Sequence, residues 1–152
     1  MALGYTTYKT PNAIFTIDQD YTGKEGCGVT FKSQGEVSIA VYADDYPYGI
    51  VTVGGPSEDG VTYPGLIGGS AIEFVDMLGC TVQVRISATA AVSASDYLRI
   101  DTATADGTFE SANTVPNVGD WLWGIALTNA GAGEQCLMRF QPLFWQIAPP
   151  PP

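Results

Sequence analysis

The sequence contains no histidine, and only six lysines and arginines stand against sixteen aspartates and glutamates in 152 residues. The absence of histidine removes the commonest general base, the Ser-His and Cys-His nucleophile pairs and the usual metal ligand. A formal net charge of -10 opposes contact with phosphate backbones and with anionic membrane surfaces. We therefore predict a protein that is not an enzyme and that has no metal, no other cofactor, no nucleic-acid partner and no membrane partner.

Cysteine and long apolar runs are also scarce. Cys27, Cys80 and Cys136 are far apart and form no CxxC pair, which argues against a zinc knuckle or a redox motif. We expect three buried, reduced thiols, as in a protein that folds in a reducing cytoplasm. No stretch approaches the roughly 20 apolar residues that span a bilayer. The first ten residues lack a basic start followed by an apolar run, so we expect no secretory signal.

Short strand patterns are abundant, and they are separated by 18 glycines and 10 prolines. Apolar residues alternate with polar ones at 36–43 and 81–87, which predicts half-buried strands. Residues 97–111 fit two short strands around the Asp-Gly turn at 106–107, and residues 120–140 fit a second hairpin. Because the glycines and prolines leave no room for long helices, we predict an all-β domain, either a small β-barrel or a β-sandwich.

Both ends of the chain differ from its middle. Residues 1–20 are polar and rich in threonine and tyrosine, and we predict an extended N-terminal arm there. Residues 148–152, with the sequence APPPP, favour polyproline II and form a Pro-rich tail. A single β-rich domain is left at 21–147.

The segment 70–79 fits two structures. Its capping-box spacing is compatible with a two-turn helix, and its alternation is compatible with a strand, which we favour. The preference comes from an internal similarity between 46–60 and 120–134, each of which is followed by an apolar strand. A duplicated β unit explains this similarity, and chance likeness between two glycine-rich hairpins is the alternative.

Acidic and glycine-rich segments are weak candidates for ligand sites. The pair Asp44-Asp45 could hold Ca²⁺, but a solvated turn is the commoner role for such a pair. The same holds for Asp18-Gln19-Asp20, since the remaining positions of a calcium loop are missing. Residues 54–60 are glycine-bearing, but they lack the Lys-Ser or Lys-Thr of a phosphate-binding loop.

The aromatic residues indicate a binding surface more strongly than the acidic and glycine-rich segments do, because exposed rings stack on sugars or anchor protein interfaces. In a strand, Trp121 and Trp123 face one side while Leu122 and Gly124 face the other. The strand is therefore apolar on both faces, and we expect a neighbouring subunit to cover one of them. The alternative is that both tryptophans are core residues.

The segments ASDYLRIDTATADGTF (94–109) and GDWLWGIALTNAGAGEQCLMRFQP (119–142) resemble the capsid decoration proteins of tailed bacteriophages, also called cement proteins. The likeness lies in turn chemistry and strand spacing, and it extends over roughly residues 35–142. The matching positions are Asp96, Leu98, Asp106, Gly107, Gly119, Asp120, Gly124, Ala126, Leu127, Gly131, Gly133 and Glu134.

The resemblance implies a β-rich homotrimer that is made in the host cytoplasm and lies on the outer face of the capsid in the virion. Its partner would be the major capsid protein, and its function would be to stabilise the shell. The residues that we predict for capsid contacts of the arm are Tyr5, Tyr8, Ile14 and Phe15. The residues that we predict for a subunit or capsid interface are Trp121, Trp123, Phe144 and Trp145.

Two other functions remain open for this sequence. A carbohydrate-binding or adhesin module of a virion would use the aromatic residues as a sugar platform. A trimeric all-β nucleotide hydrolase would need carboxylates and Mg²⁺, and the sequence contains no motif that matches one.

Overall fold

The computed structural model describes residues 15–19, 21–33, 36–51, 64–65, 81–112 and 119–146. Within these ranges the chain forms strands and no helix, which confirms the prediction of an all-β domain. No helix in this part of the chain is long and apolar enough to cross a membrane. The strands are β1 Phe15–Ile17, β2 Gly28–Ser33, β3 Glu36–Ile39, β4 Gly49–Ile50, β5 Pro64–Gly65, β6 Thr81–Arg85, β7 Tyr97–Ile100, β8 Phe109–Ser111, β9 Trp121–Ala126 and β10 Gln135–Phe144.

The first sheet has the strand order β4-β2-β3-β1-β5. Its outer strands β4 and β5 contain two residues each, so β2, β3 and β1 form its body. All neighbours are antiparallel except β1 and β3, which are parallel. Ile17 of β1 is buried in the core, so the end of the predicted arm is part of the sheet. Residues 1–14, the segment 70–79 and the tail at 148–152 lie outside the described residues.

The second sheet has the strand order β6-β10-β9-β7-β8, and all of its neighbours are antiparallel. Both predicted hairpins are confirmed: β7 pairs with β8, and β9 pairs with β10. A single bridge between Ile86 and Phe109 joins the two outer strands at one end, but the sheet does not close. The domain is therefore a β-sandwich, not a β-barrel.

The alternation that the sequence predicts for β6 is present in the structure. Val82, Val84 and Ile86 are 6%, 0% and 0% exposed, whereas Gln83 is exposed and Arg85 is half-buried. One face of this strand therefore packs in the core and the other meets solvent, as a period of two requires.

Gly28 brings the two sheets together. A Cβ at this position would lie 2.9 Å from Ile100 Cδ1 and 2.9 Å from Trp123 Cη2. The Gly28 amide donates a hydrogen bond of 2.9 Å to the carbonyl of Gly107 in the turn before β8. Only a residue without a side chain lets β2 approach the core of the second sheet so closely.

The two cysteines in the described ranges fit the predicted role of buried thiols. Cys27 and Cys136 are buried and form no disulfide. Burial raises the pKa of the Cys27 thiol to about 11, although the neighbouring Arg85 and Lys24 act in the opposite direction. This thiol is therefore protonated at neutral pH and is a poor nucleophile. Cys80 lies outside the described residues.

A buried carboxylate organises the turn between β7 and β8. Asp101 is 1% exposed and accepts hydrogen bonds from Ser87 Oγ, from the amide of Ala103 at 2.8 Å and from Thr104 Oγ1 at 3.1 Å. Burial by itself raises the pKa of the Asp101 carboxyl. The hydrogen bonds outweigh burial and lower the pKa below its ordinary value of 3.8.

We expect Asp101 to stabilise the fold at neutral pH and to do so less in acid. A carboxyl with a lowered folded pKa contributes fully above the ordinary pKa of 3.8 and loses that contribution as the pH falls through the folded pKa. Asp101→Asn should lower the free energy of unfolding at pH 7 by about 2 kcal/mol and weaken its dependence on acid pH.

Urea unfolding followed by circular dichroism, at neutral pH and in steps down to about pH 3, measures both effects. Glu134→Gln is the matched control, because the exposed Glu134 carboxylate only accepts the Gly131 amide at 2.8 Å. Equal acid dependence in Asp101→Asn and in the unaltered chain would contradict the assignment.

Candidate functional site

Three aromatic rings form a row at the start of β9. The Trp121 ring lies between the Tyr46 ring, at 5.2 Å and 82°, and the Phe144 ring, at 5.0 Å and 47°. Tyr46 is 48% exposed and Phe144 is 38% exposed, while Trp121 is partly buried against the core of the second sheet. We call these three residues the aromatic row. It is anchored on one side and open to solvent on the other.

The segment that carries Tyr46 is fixed by hydrogen bonds to its main chain. One oxygen of the Asp45 carboxylate accepts the amides of Val41 at 2.8 Å and Tyr42 at 2.9 Å. The carbonyl of Ala43 then accepts the Trp121 amide at 2.8 Å. Asp45 therefore organises a turn, which agrees with the interpretation of the Asp44-Asp45 pair as a turn and explains how Tyr46 reaches Trp121.

Strand pairing fixes the other end of the aromatic row. Phe144 lies opposite Trp121 in the β9–β10 register. The amide of Trp145 donates to the Asp120 carbonyl at 2.8 Å, and the amide of Gly119 donates to the Trp145 carbonyl at 2.8 Å. The row thus combines residues from the 41–48 segment, from β9 and from β10.

An open depression of about 540 Å³ lies beside the aromatic row. It is lined by Ala43, Asp44, Gly119, Asp120 and Phe144. The side chain of Asp44 is exposed, whereas Asp120 is 7% exposed. The depression, which we call the acidic depression, therefore combines Phe144 of the aromatic row with two acidic residues, of which Asp44 is exposed and Asp120 is buried.

The prediction for Trp123 needs a correction. Trp123 is 0% exposed within the single chain, and its ring contacts Phe109 at 5.3 Å and Phe140 at 6.4 Å. Of the two possibilities for this residue, the core is the one that the structure supports. Trp123 has no surface left to offer to a second subunit.

A shift in the strand register, at a β-bulge or a similar irregularity of β10, lies next to Trp123. The register between β9 and β10 shifts between Phe140 and Leu143, so that β10 advances by one residue more than β9. A bulge twists the pair locally and changes the direction of side chains. Beside this shift, Leu122, Trp123 and Gly124 are all buried in succession, so both faces of β9 are covered there.

The other predicted interface residues lie near the surface. Trp121 and Phe144 belong to the aromatic row, and Trp145, which is half-buried, follows Phe144 directly. Three of the predicted arm residues, Tyr5, Tyr8 and Ile14, lie outside the described residues. The backbone of Phe15 belongs to β1, where it pairs with Gly65.

A second apolar surface was not predicted from the sequence. Tyr97, Leu127 and Leu137 are 48%, 45% and 42% exposed. Tyr97 pairs with Ile125, and the Leu127 amide donates to the Leu137 carbonyl at 2.7 Å. We call these four residues the outer sheet face. The available signal was the period of two in β9, which places residues 125 and 127 opposite the core-facing Ala126.

Tyr46 is a further member of the site that the sequence analysis did not identify, because its contact with Trp121 depends on the turn at Asp45. Within the described ranges, no group of three or more histidine, cysteine, aspartate or glutamate residues is placed to hold a metal ion.

No family model matches this chain, and a search of curated proteins finds no match either.

Proposed function

We propose that the protein is a structural virion protein that binds the outer surface of a phage capsid as a homotrimer and stabilises the shell. The observation that carries this proposal is the presence of exposed apolar side chains at both ends of the β9–β10 hairpin, which lies within the part of the sequence that resembles decoration proteins. These side chains are Leu127, Leu137, Leu143 and Phe144, which are 45%, 42%, 45% and 38% exposed.

Leu127 and Leu137 are neighbours at the turn end of the hairpin, and Leu143 and Phe144 lie at its other end, opposite the start of β9. Exposed apolar side chains at two separate places indicate surfaces that bind other proteins. The core of the second sheet is complete without the hairpin's exposed residues, since Trp123, Met138 and Phe140 are each 0% exposed. The exposed residues are therefore not needed to close the core of the single chain. A decoration protein would use one such surface for its own subunits and another for the capsid.

The predicted arm supplies a further contact in this proposal. An extended segment can add a strand to an exposed sheet edge of a neighbour. Such an arm would be anchored to the domain through β1, because Ile17 is 2% exposed. Several weak contacts to different capsid subunits then combine through multivalency.

Deletion of residues 1–14 tests the role of the arm. The deletion ends before β1, so we expect a folded protein with an unchanged oligomeric state. Its affinity for expanded phage heads that lack a decoration protein should fall by about 100-fold, because one of several linked contacts is lost. Co-sedimentation with the heads measures binding, and circular dichroism and analytical ultracentrifugation provide the controls.

Two outcomes separate the arm from the function as a whole. Unchanged head binding after the deletion would refute the arm as a latch and leave the rest of the proposal intact. A full-length chain that is monomeric and does not sediment with expanded heads would refute the proposed function itself.

Carbohydrate binding is the second candidate, and the aromatic row favours it. Exposed rings such as Tyr46 and Phe144 can stack on a sugar, while the exposed Asp44 carboxylate at the acidic depression can accept its hydroxyl groups. Glycan-array binding by the isolated protein that disappears in Trp121→Ala would support this candidate. Trp123→Ala is not a useful variant for this purpose, because Trp123 lies in the core.

A further inference from the structure

We infer that the aromatic row and the acidic depression together form a docking site for one basic side chain, an arginine or a lysine, carried by an exposed segment of a partner protein. The inference deepens the proposed function and rests on it, because the expected partner is a capsid subunit. It assigns a chemical class to the residue that the partner must present.

The rings supply the first half of such a site. A guanidinium or an ammonium group is attracted to the face of tryptophan, tyrosine or phenylalanine. Tyr46 and Phe144 flank Trp121 at 5.2 Å and 5.0 Å and keep 48% and 38% of their surface exposed. A cation that approaches the row can therefore contact aromatic surface without displacing a side chain from the core.

The Asp44 carboxylate supplies the second half. Asp44 is exposed and lines the depression together with Phe144, and the buried Asp120 adds negative charge beside them. A carboxylate next to an aromatic ring forms a charge-assisted hydrogen bond with the same cation that the ring attracts. An anionic ligand is repelled by the carboxylate, and a neutral ligand such as a sugar gains neither the cation–ring attraction nor the charge-assisted hydrogen bond.

The net charge of the whole chain is negative, like the charge of the acidic depression. With a formal net charge of -10, the protein attracts basic partners and repels acidic ones. Three of its cations are already engaged in ion pairs among the described residues. Lys32 pairs with Glu36 at 3.1 Å and with Asp18 at 3.5 Å, Arg85 pairs with Glu25 at 3.7 Å, and Arg99 pairs with Glu110 at 2.9 Å. A partner of different composition is thus a better donor of the basic side chain than a second copy.

The site is also held in position before a ligand arrives. Asp45 fixes the turn through the amides of Val41 and Tyr42, and the Trp121 amide is bonded to the Ala43 carbonyl. A binding surface that is ordered in the free protein loses less conformational freedom when it binds. The 41–48 segment and the β9–β10 hairpin therefore present rings and carboxylates at a fixed spacing.

The test is a titration of the full-length chain, labelled with ¹⁵N, with the peptide Ac-Gly-Arg-Gly-NH2 and with the neutral control Ac-Gly-Gln-Gly-NH2. The indole N–H signal of Trp121, assigned with Trp121→Phe, is the readout. We expect saturable shifts in the millimolar range for the arginine peptide alone, and weaker binding at high salt because of screening.

Two matched pairs of variants locate the site. Tyr46→Ala should weaken binding about 10-fold, whereas Tyr97→Ala should not, although Tyr97 has the same 48% exposure as Tyr46. Asp44→Asn should weaken binding about 5-fold, whereas Glu134→Gln should not, although it changes the net charge equally. Equal binding of the two peptides, or no effect of the two site variants, would overturn the inference. Glycan binding that is unaffected by Asp44→Asn would also overturn it.

Sedimentation with expanded heads distinguishes this inference from the proposed function. If the unaltered chain binds heads but not the arginine peptide, the inference is wrong and the proposed function stands. If it binds the arginine peptide but not heads, the docking site is real and its partner is not a capsid. If both bind, Tyr46→Ala should weaken head binding as well, and unchanged head binding would refute a capsid subunit as the partner.

Discussion

Replacement of Trp123 by alanine is expected to lower the free energy of unfolding by about 3 to 5 kcal/mol, the usual range when a large buried aromatic side chain is removed. Trp123 is 0% exposed and packs against Phe109 and Phe140. The loss is a large part of the roughly 5 to 15 kcal/mol that stabilises a typical domain. Gly28 cannot fill the cavity, because it has no side chain.

Trp121→Ala is the matched comparison, because it removes the same side chain two residues away on the same strand. Trp121 is only partly buried against the core, so we expect a smaller loss of about 1 to 2 kcal/mol. Urea unfolding at a fixed protein concentration measures both variants, since an oligomer's stability depends on concentration. Equal losses, or a larger loss in Trp121→Ala, would show that Trp123 is not the centre of the core.

Gly124→Ala is expected to have the second large effect on stability, at about 3 kcal/mol or more. A Cβ at Gly124 would overlap the carbonyl oxygen of Arg139 and lie 2.8 Å from Met138 Cγ. The Arg139 oxygen belongs to the backbone of the neighbouring strand β10 and cannot move aside alone. The β9–β10 pair would have to separate, in the centre of the second sheet.

Gly131→Ala is the control for this prediction. In the turn of the same hairpin, a Cβ at Gly131 would meet only the carboxylate end of the Glu134 side chain, at 3.1 Å. That group is flexible and exposed, so we expect a change within about 0.5 kcal/mol. Urea unfolding measures the free energy of unfolding of both variants. A decrease below about 1 kcal/mol in Gly124→Ala would contradict the packing described for β9 and β10.

The contrast between β6 and β9 shows where the alternation of residues predicts the buried side chains of a strand and where it does not. In β6, the alternation of Val82, Val84 and Ile86 predicted the buried face correctly, because nothing interrupts its pairing with β10. In β9, the same reasoning placed Trp123 at an interface. Packing against Phe109 and Phe140 from other strands placed Trp123 in the core instead, and nothing in the residues of β9 themselves reveals those contacts.

The candidate site illustrates the same limit. The sequence directed attention to Trp121 and Phe144, because aromatic residues in a strand without a polar face need cover. It did not connect them with Tyr46 or Asp44, which lie far away along the chain. Their meeting depends on the Asp45 turn and on the bond from the Trp121 amide to the Ala43 carbonyl.

The sequence by itself determined the all-β class, the two hairpins at 97–111 and 120–140, and the scarcity of groups for acid-base chemistry. These properties follow from composition, from turn residues and from the period of two, all of which act over a few neighbouring residues. Only the tertiary structure decided which tryptophan is core and which is surface, and which carboxylates stand beside the rings. Those outcomes depend on contacts between segments distant in sequence, and packing there overrides local preference.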